Sequence, residues 1–490
     1  MSARSIRNRT RAVDLALVRS SYATRPGPAD PVLRGLTSLA NHSVLWVLVA
    51  GALSATGGAR RRGAVRGLLA VAGASSVANG VLKPLLPRDR PPAVAVPALR
   101  RLGVRPVSSS FPSGHAASAA AFATGVALES PAAGLVVAPL ALAVAYSRVH
   151  VGVHWPSDVV VGAGIGAGIA LGTRRWWAVR SATPAQLGGR GSAPALHRGR
   201  GLIVLVNPAA GTHNSEVVAA VAEALPDARF VQPTEGEDFA ARLQAEVDDS
   251  VFALGVCGGD GTVAAAVTAA VRTELPLAVF AGGTLNHFAR DIGLTRVSTT
   301  AAAVERGHAA RVDLGSVSID GGEPTLFVNT ASIGGYPDTV RLRDRWTDRV
   351  GKWPAAAAAM VAVLTVARPL HAVVGGRVDP VWMLFVGNGS YAPADQVPMS
   401  RPSIAGGVLD VRYLRARIRF SRTRLALAAL TGSLGSSPTY RQERVTTLSV
   451  RHDGPPVAVA VDGEIAGEGR AFDFVARPSL LTVYGPGGVG

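Results

Sequence analysis

A chain of 490 residues is long enough for two or three domains, and a hydrophobic content of 48% excludes intrinsic disorder. Its one cysteine, Cys257, excludes an intramolecular disulfide framework and reads as a small buried residue closing a strand. The net charge of +17 rests on arginine, since Lys83 and Lys352 are the only lysines, and it suits partners bearing phosphate or anionic lipid; no zinc-finger spacing or RNA-binding signature accompanies it, so no nucleic acid is expected.

In chain order, residues 1–30 form a basic start carrying Arg4, Arg7, Arg9 and Arg11, without the apolar core and cleavage site of a signal peptide. Val13, Ala16, Leu17 and Ser20 line one side of an expected amphipathic helix lying on a membrane surface. Apolar spans follow near 36–57, 64–86, 113–129, 132–149 and 157–173, the last three short for a crossing of about 20 residues. Five such segments in a row, with the glycine-rich run 161–168, favour an all-α membrane helical bundle over 31–177 rather than a soluble one. Residues 178–200, rich in Pro, Gly, Ser and Arg, read as a flexible tether.

From Gly201 the pattern alternates strand and helix: strands at 201–206, 251–257 and 277–281, helices at 217–225 and 263–271. That alternation predicts a parallel sheet in a nucleotide-binding α/β lobe over 201–325. Short β-type runs at 382–386, 409–414 and 457–461 predict a β-sandwich lobe over 326–490. The expected fold class is therefore multi-domain: a membrane helical bundle, then a two-lobe α/β plus β-sandwich unit.

Three polar clusters punctuate the apolar spans. Lys83 with Arg90-Pro91 ends the second, Pro112-Ser113-Gly114-His115 opens the third, and Ser147-Arg148 with His154 and Asp158 joins the fourth to the fifth. All fall on one side of the membrane if the spans alternate in direction. Lys83, Arg90 and Arg148 supply fixed positive charge for the non-bridging oxygens of a phosphate, and Ser113 and Gly114 sit where free N–H groups of a helix start point at it. Asp158, four residues after His154, would fix the imidazole tautomer and leave the other nitrogen to attack phosphorus, while His115 protonates the leaving alcohol. The ordered set K-x6-R-P, P-S-G-H and S-R-x5-H-x3-D resembles the type 2 phosphatidic acid phosphatase superfamily, whose fold is shared with vanadium haloperoxidases, over about residues 30–175. The resemblance implies a phosphatase without a cofactor that passes through a phosphohistidine, with Lys83, Arg90, Ser113, Gly114 and Arg148 on the phosphate and His150 structural. Members of that superfamily usually show six spans, and five are read here. A soluble vanadium-dependent oxidant shares the motifs but sits badly with the apolar spans.

Gly258-Gly259-Asp260-Gly261-Thr262 lies between a strand and a helix, where glycines admit phosphates to the backbone. No G-x4-G-K-[ST] is present. With Asn207-Pro208, Gly282-Gly283-Thr284, Asn329, Gly387-Asn388-Gly389 and Asp462-Gly463-Glu464 in order, the set resembles the diacylglycerol kinase catalytic family over about residues 200–487. That resemblance implies ATP in a cleft between two lobes, touched by Asn207, Gly258, Gly259, Asp260, Gly261, Thr262 and Thr284. It further implies Mg2+ handled by Asp260 and Glu464, and Asp462 as the base that deprotonates a lipid hydroxyl. Ala210 stands where a serine is common and His287 where an aspartate is common, and around residues 404–410 an aspartate usual before the glycine is absent, which places an auxiliary structural metal in doubt. The sequence thus reads as a bifunctional lipid-phosphate enzyme, with membrane lipids, lipid phosphates and ATP as partners and room for a homodimer. The alternative is one active half and one inert anchor or lipid sensor. ATP and Arg174-Arg175 place the kinase in the cytoplasm of a multi-pass cell-membrane protein, with the phosphatase site outside.

Overall fold

The computed structural model describes residues 3–25, 27–180, 183–208, 214–234, 236–283, 285–334, 369–374, 377–396, 398 and 400–485. They fall into two compact units, Met1–Arg180 and Ser181–Gly490.

The first unit is helical: α1 (Ala3–Ala23), α2 (Ala29–Leu39), α3 (Val44–Ala55), α4 (Gly58–Ser75), α5 (Lys83–Leu85), α6 (Gly114–Glu129), α7 (Pro131–His150) and α8 (Pro156–Gly172). A π-helical stretch, Ser76–Leu82, makes α4 and α5 one continuous 28-residue run. That run, Pro131–His150 and Pro156–Arg175 are long and apolar enough to cross a membrane. The pair α2–α3, bent by 71°, raises the number to four if it counts as one broken span. Of the five expected spans, 113–129 differs most: α6 has 16 residues, about 24 Å at 1.5 Å per residue, short of a hydrocarbon core of about 30 Å. Its surroundings explain the apolar run. α6 packs against α4, α7 and α8, and Ala116, Ala117, Ala121, Phe122 and Val126 are fully buried.

The glycine-rich run of α8 serves that packing. A Cβ on Gly166 would lie 2.0 Å from the Ala117 carbonyl oxygen, so only a bare backbone lets α8 approach α6 this closely. At the far end of the bundle from Lys83, the buried Arg66 donates from Nη2 to Glu129 Oε1 at 2.6 Å and to the Trp177 carbonyl at 2.7 Å. An arginine and a glutamate inside a helical bundle persist because each satisfies the other.

The second unit is built on one sheet. β2 (Leu202–Val206), β3 (Arg229–Val231), β4 (Ala253–Gly258) and β5 (Leu277–Ala281) are parallel, in the order β5-β4-β2-β3, after a short β1 (Arg190–Ser192). Fully buried runs such as Leu202–Val206 are what a sheet covered on both faces demands. The covering helices are α9 (Asn214–Ala224), α10 (Phe239–Ala245), α11 (Asp260–Thr273), α12 (His287–Asp291) and α13 (Val297–Arg306).

The sheet continues, mostly antiparallel, through β6 (His308–Ile319), β7 (Thr325–Phe327), β8 (Thr330–Gly334), β9 (Leu370–Val374) and β10 (Arg377–Asn388). A hairpin-like pair, β11 (Ser390–Ala392) and β12 (Ser400–Ser403), stands apart from it. Then come β13 (Leu409–Arg415), α14 (Ser421–Thr431), β14 (Tyr440–Val445), β15 (Thr447–His452), β16 (Val457–Val461), β17 (Glu464–Gly469) and β18 (Ala471–Tyr484). Phe327, Leu384, Val459, Phe472 and Phe474 centre this lobe's core, each contributing about 1.5–3 kcal/mol on burial.

Two details differ from the expected boundaries. The stretch read as a tether contributes β1, which pairs antiparallel with β6, and Ala185 N–H donates to the Asp291 carbonyl at 2.7 Å. Its partners lie more than a hundred residues away, which a local reading of Pro, Gly and Ser cannot register. The last strand also serves both lobes: β18 runs beside β6 and β15, then ends parallel to β5 with Val483 opposite Leu277.

Candidate active sites

The three polar clusters of the first unit meet. Lys83, Arg90, Gly114, His115, Arg148 and His154 line a single cavity of about 280 Å³, together with Asn41, Asn79 and Ser118. Lys83 lies in the last turn of the long helical run, Gly114 and His115 begin α6, and Arg148 lies in the last turn of α7, so the fold delivers them to the same end of the bundle. No carboxylate is among the described lining residues. Three cations facing one small space repel one another unless an anion occupies it.

His154 sits in the loop between α7 and α8 and is 2% exposed. Its Nδ1 lies 2.6 Å from the Ser110 carbonyl oxygen. A carbonyl can only accept, so Nδ1 carries the proton and Nε2 keeps its lone pair. Nε2 is 3.5 Å from Arg90 Nη1. Burial, with Arg148 and Arg90 nearby, holds the imidazole down to about 4, so it is neutral across the physiological range. The tautomer is thus set differently from the expectation. Asp158 Oδ2 stands 3.8 Å from Nδ1, beyond hydrogen-bond length, and the backbone of Ser110 takes the proton's bond instead. Asp158 accepts from Trp155 N–H at 2.9 Å and from Arg88 Nη1 at 2.6 Å, a carboxylate held behind the ring rather than on it.

Arg90 donates to the carbonyls of Val153, Ser108 and Ser109, which aims its guanidinium along the cavity wall. Arg148 Nη1 donates to Thr37 Oγ1 at 2.8 Å. His115 Nε2 lies 2.9 Å from Asn41 Oδ1, an acceptor that keeps a proton on this nitrogen. Ser113 does not line the cavity. It is fully buried, and its Oγ caps α6 by accepting from Ala116 N–H, so its place is to start the helix that presents Gly114 and His115. His150, read as structural, bonds Asp30 Oδ1 at 2.7 Å beside Arg100. Asn41 and Arg88 escaped the sequence reading. Nothing marks Asn41, whereas Arg88 sits in the Arg88-Asp89-Arg90 triplet.

In the second unit the glycine turns after β4 and β5 pass against each other. A Cβ on Gly283 would lie 2.4 Å from Gly259 Cα, so side chains there would force the two turns apart. Asn207 Nδ2 donates to Thr262 Oγ1 at 3.0 Å, tying the end of β2 to α11. A Cβ on Gly258 would meet the Thr262 side chain at 2.8 Å. Asp260 opens α11, and its Oδ1 accepts from His287 N–H at 2.7 Å and Phe288 N–H at 3.4 Å. Gly261 has open space where its Cβ would be. Thr284 lies outside the described residues. Cys257 is buried as expected, its thiol pushed up to about 12 by burial.

Asp462, in the left-handed region at φ 48°, turns β16 into β17. Its Oδ1 accepts from the N–H groups of Asn329 and Thr330, at 2.7 and 2.9 Å, and its Oδ2 from Val328 N–H at 2.8 Å. A carboxylate has about four lone-pair sites, so one remains on Oδ2. Burial raises its proton affinity above the ordinary aspartate value, against those three donors and Arg401. Arg401, 3% exposed, braces the same segment by donating to the Val328 carbonyl at 2.6 Å and to Asn329 Oδ1 at 3.2 Å, while pairing with Asp291. Glu464 is exposed at the start of β17. Among the described residues no group of three or more His, Cys, Asp or Glu is gathered to hold a metal ion. Mg2+ keeps several waters and takes phosphate oxygens, needing only one or two carboxylates, so Asp260 beside the glycine turns fits a metal that arrives with a nucleotide.

The model of the PAP2 superfamily matches residues 64–182, and that of the diacylglycerol kinase catalytic domain matches 201–317. The protein named "Probable lipid kinase YegS-like" of Pseudomonas aeruginosa is 32% identical over 299 residues, 59% of this chain and 94% of the relative. Decaprenylphosphoryl-5-phosphoribose phosphatase of Mycobacterium tuberculosis is 38% identical over 160 residues, 31% of this chain and 82% of the relative. The diacylglycerol kinase of the same organism is 30% identical over 255 residues, 50% of this chain and 80% of the relative. A membrane helical unit carrying a polycationic histidine cavity and a two-lobe unit carrying crossed glycine turns thus make this chain a member of both the PAP2 superfamily and the diacylglycerol kinase catalytic family.

Proposed function

We propose that this protein is a bifunctional lipid-phosphate enzyme, a phosphatase through its first unit and an ATP-dependent lipid kinase through its second. The observation that carries the reading is the cavity in which Lys83, Arg90 and Arg148 surround His115 and His154. In the phosphatase, the three cations and the N–H groups at the start of α6 bind the non-bridging oxygens of a phosphomonoester. Nε2 of His154 attacks phosphorus while its Nδ1–H stays on Ser110. The P–O bond to the lipid breaks, and the departing alkoxide takes the proton that the phosphomonoester monoanion brought to the second ring nitrogen of His115. Water then cleaves the N–P bond, returning its proton to His115 and releasing phosphate. No metal is needed, because the charge that builds up is met by fixed side chains.

In the kinase, the turns at Gly258–Thr262 and Gly282–Gly283 receive the nucleotide phosphates, with Asn207 and Thr284 as further contacts. Mg2+ bound with ATP neutralises the phosphate oxygens. Asp260 and Glu464 assist in holding that ion. The remaining lone pair of Asp462 accepts the proton of the attacking lipid hydroxyl.

The substrate class is a lipid phosphomonoester for one unit and a lipid alcohol for the other. The named relatives suggest a polyprenyl-linked phosphate and diacylglycerol as first choices. ATP puts the kinase in the cytoplasm, and tracing the spans back from Arg174-Arg175 puts the phosphatase cavity outside. The deciding experiment is mass spectrometry of lipids after incubating the full chain with labelled ATP, diacylglycerol, phosphatidate and a polyprenyl phosphate. Labelled phosphatidate without loss of either phospholipid would leave the kinase alone standing, and loss without label the phosphatase alone. In whole cells, an impermeant thiol reagent should label Val107→Cys, a fully exposed position, but not Ser192→Cys, after Cys257 is replaced. The reverse would overturn the sidedness.

A further inference from the structure

Arg88 does not line the cavity, yet both terminal nitrogens of its guanidinium are engaged. Nη1 donates to Asp158 Oδ1 at 2.6 Å and to Ser157 Oγ at 2.7 Å, and Nη2 donates to Asp14 Oδ2 at 2.7 Å. Asp14 belongs to α1, outside the segment matched by the PAP2 family. It is 2% exposed, the one carboxylate on a helix that otherwise carries arginines. Its Oδ1 accepts from Ser157 N–H at 2.9 Å and its Oδ2 from Ser157 Oγ at 2.7 Å. Ser157 lies in the first turn of α8, one residue before Asp158. The order of contact is therefore Asp14, Arg88, Asp158, and then the His154 ring at 3.8 Å.

The geometry points to Asp14 as a positioning residue for the phosphatase reaction, so that the N-terminal helix is part of the catalytic apparatus and not only a surface helix. The inference rests on the phosphatase reading given above. Two carboxylates share one arginine, and each fixes where the guanidinium can lie. Without Asp14, the part-buried Arg88 has one carboxylate left and a direction in which to relax. A groove of about 860 Å³, lined by Asp14, Arg88, Asp89, Phe111 and Trp155, opens beside it. Asp158 would follow the guanidinium or lose its hold, and the charge behind His154 would shift. The cavity cations do not touch Asp14: Arg90 is anchored on Ser108, Ser109 and Val153, and Arg148 on Thr37. Phosphate binding should therefore survive while turnover falls. Supporting shells of this kind typically cost about 10- to 100-fold in activity when removed.

The test uses the full chain in detergent micelles and a short-chain, water-soluble phosphatidate. Asp14→Asn keeps an acceptor for Ser157 and removes the charge opposite Arg88. We expect its kcat to fall about 10- to 100-fold, with KM and inhibition by orthophosphate little changed. Arg88→Ala should fall similarly, and the double variant no further than Arg88→Ala, because the two residues act as one unit. ATP-dependent lipid phosphorylation by the same preparations should be unaltered. A kcat within twofold of wild type for Asp14→Asn overturns the inference, as does a double variant whose loss is the product of the single losses. A loss that appears only in KM and orthophosphate inhibition overturns it too, since that is a disturbed cavity. An inactive wild type instead overturns the phosphatase reading itself, and the role of Asp14 with it.

Discussion

On the proposed function, the two candidate sites would hold a phosphate with opposite materials. In the helical unit the positive charge is built into side chains: Lys83, Arg90 and Arg148 come from separate segments and are each anchored or enclosed before any ligand arrives. In the two-lobe unit the proposed phosphate side is mostly backbone, two glycine turns in contact at Gly259 and Gly283, and Asp260 and Asp462 are already bonded to N–H groups. A site that works without a metal must carry its own cations and bear their mutual repulsion. A site that receives a metal with its nucleotide can spare them, and needs close backbone approach instead.

That contrast can be broken most sharply at His154. Replacing it with alanine should take phosphate release to background, with His115→Ala about 10²- to 10⁴-fold down, while kinase turnover is unchanged. Phosphate release surviving His154→Ala would remove the phosphohistidine. Chelation should divide the halves as cleanly in the other direction. EDTA is expected to stop ATP-dependent lipid phosphorylation and spare the phosphatase, and loss of both activities would refute a phosphatase built on fixed charge.

Asp462 offers a finer cut. Asp462→Asn should lower kinase turnover about 10²- to 10⁴-fold and leave phosphate release intact. Asp462→Ala is a poorer probe, because it strands three N–H groups at about 1–3 kcal/mol each and would unsettle the β lobe. Normal kinase turnover in the asparagine variant would assign the base elsewhere.

The smallest effect is on acidification. His154 titrates near about 4, so the phosphatase kcat/KM should show no acid limb at the ordinary histidine value of about 6.5 and should fall only as pH approaches about 4. The sign for stability follows from the same depression. Below about 6.5 the unfolded chain takes up the proton that folded His154 refuses, so this residue's contribution is full above that pH and declines toward about 4. A phosphatase acid limb near 6.5 would mean that His154 is solvated in the working enzyme.

Several parts of the molecule were legible early because their signals are local. Lys83, Gly114, His115 and Arg148 stand at fixed spacings on helix ends, with Arg90 and His154 in the loops beside them, and helix ends on one side of a bundle must meet. The parallel strands announced themselves as unbroken apolar runs, as at Leu202–Val206. Apolar length alone could not place α6, because a helix buried among helices and one that crosses lipid share a composition. Ser113 matched a motif, yet it caps a helix, since a hydroxyl in a pattern does not reveal which way it turns.

The sequence by itself determined the two units, the family each belongs to and the residues that bear charge, because those depend on residue type and on spacing along one element. Only the tertiary structure decided that Ser110 and not Asp158 holds the His154 proton, that Asn41 faces His115, and that Asp14 reaches Arg88. It also put β1 beside β6 and the end of β18 beside β5. Each of these joins residues separated by tens to hundreds of positions, through a carbonyl or side chain that any sequence could supply. Hydrogen bonds of that kind are set by where the packed backbone brings an acceptor within about 3 Å, and no local pattern records it.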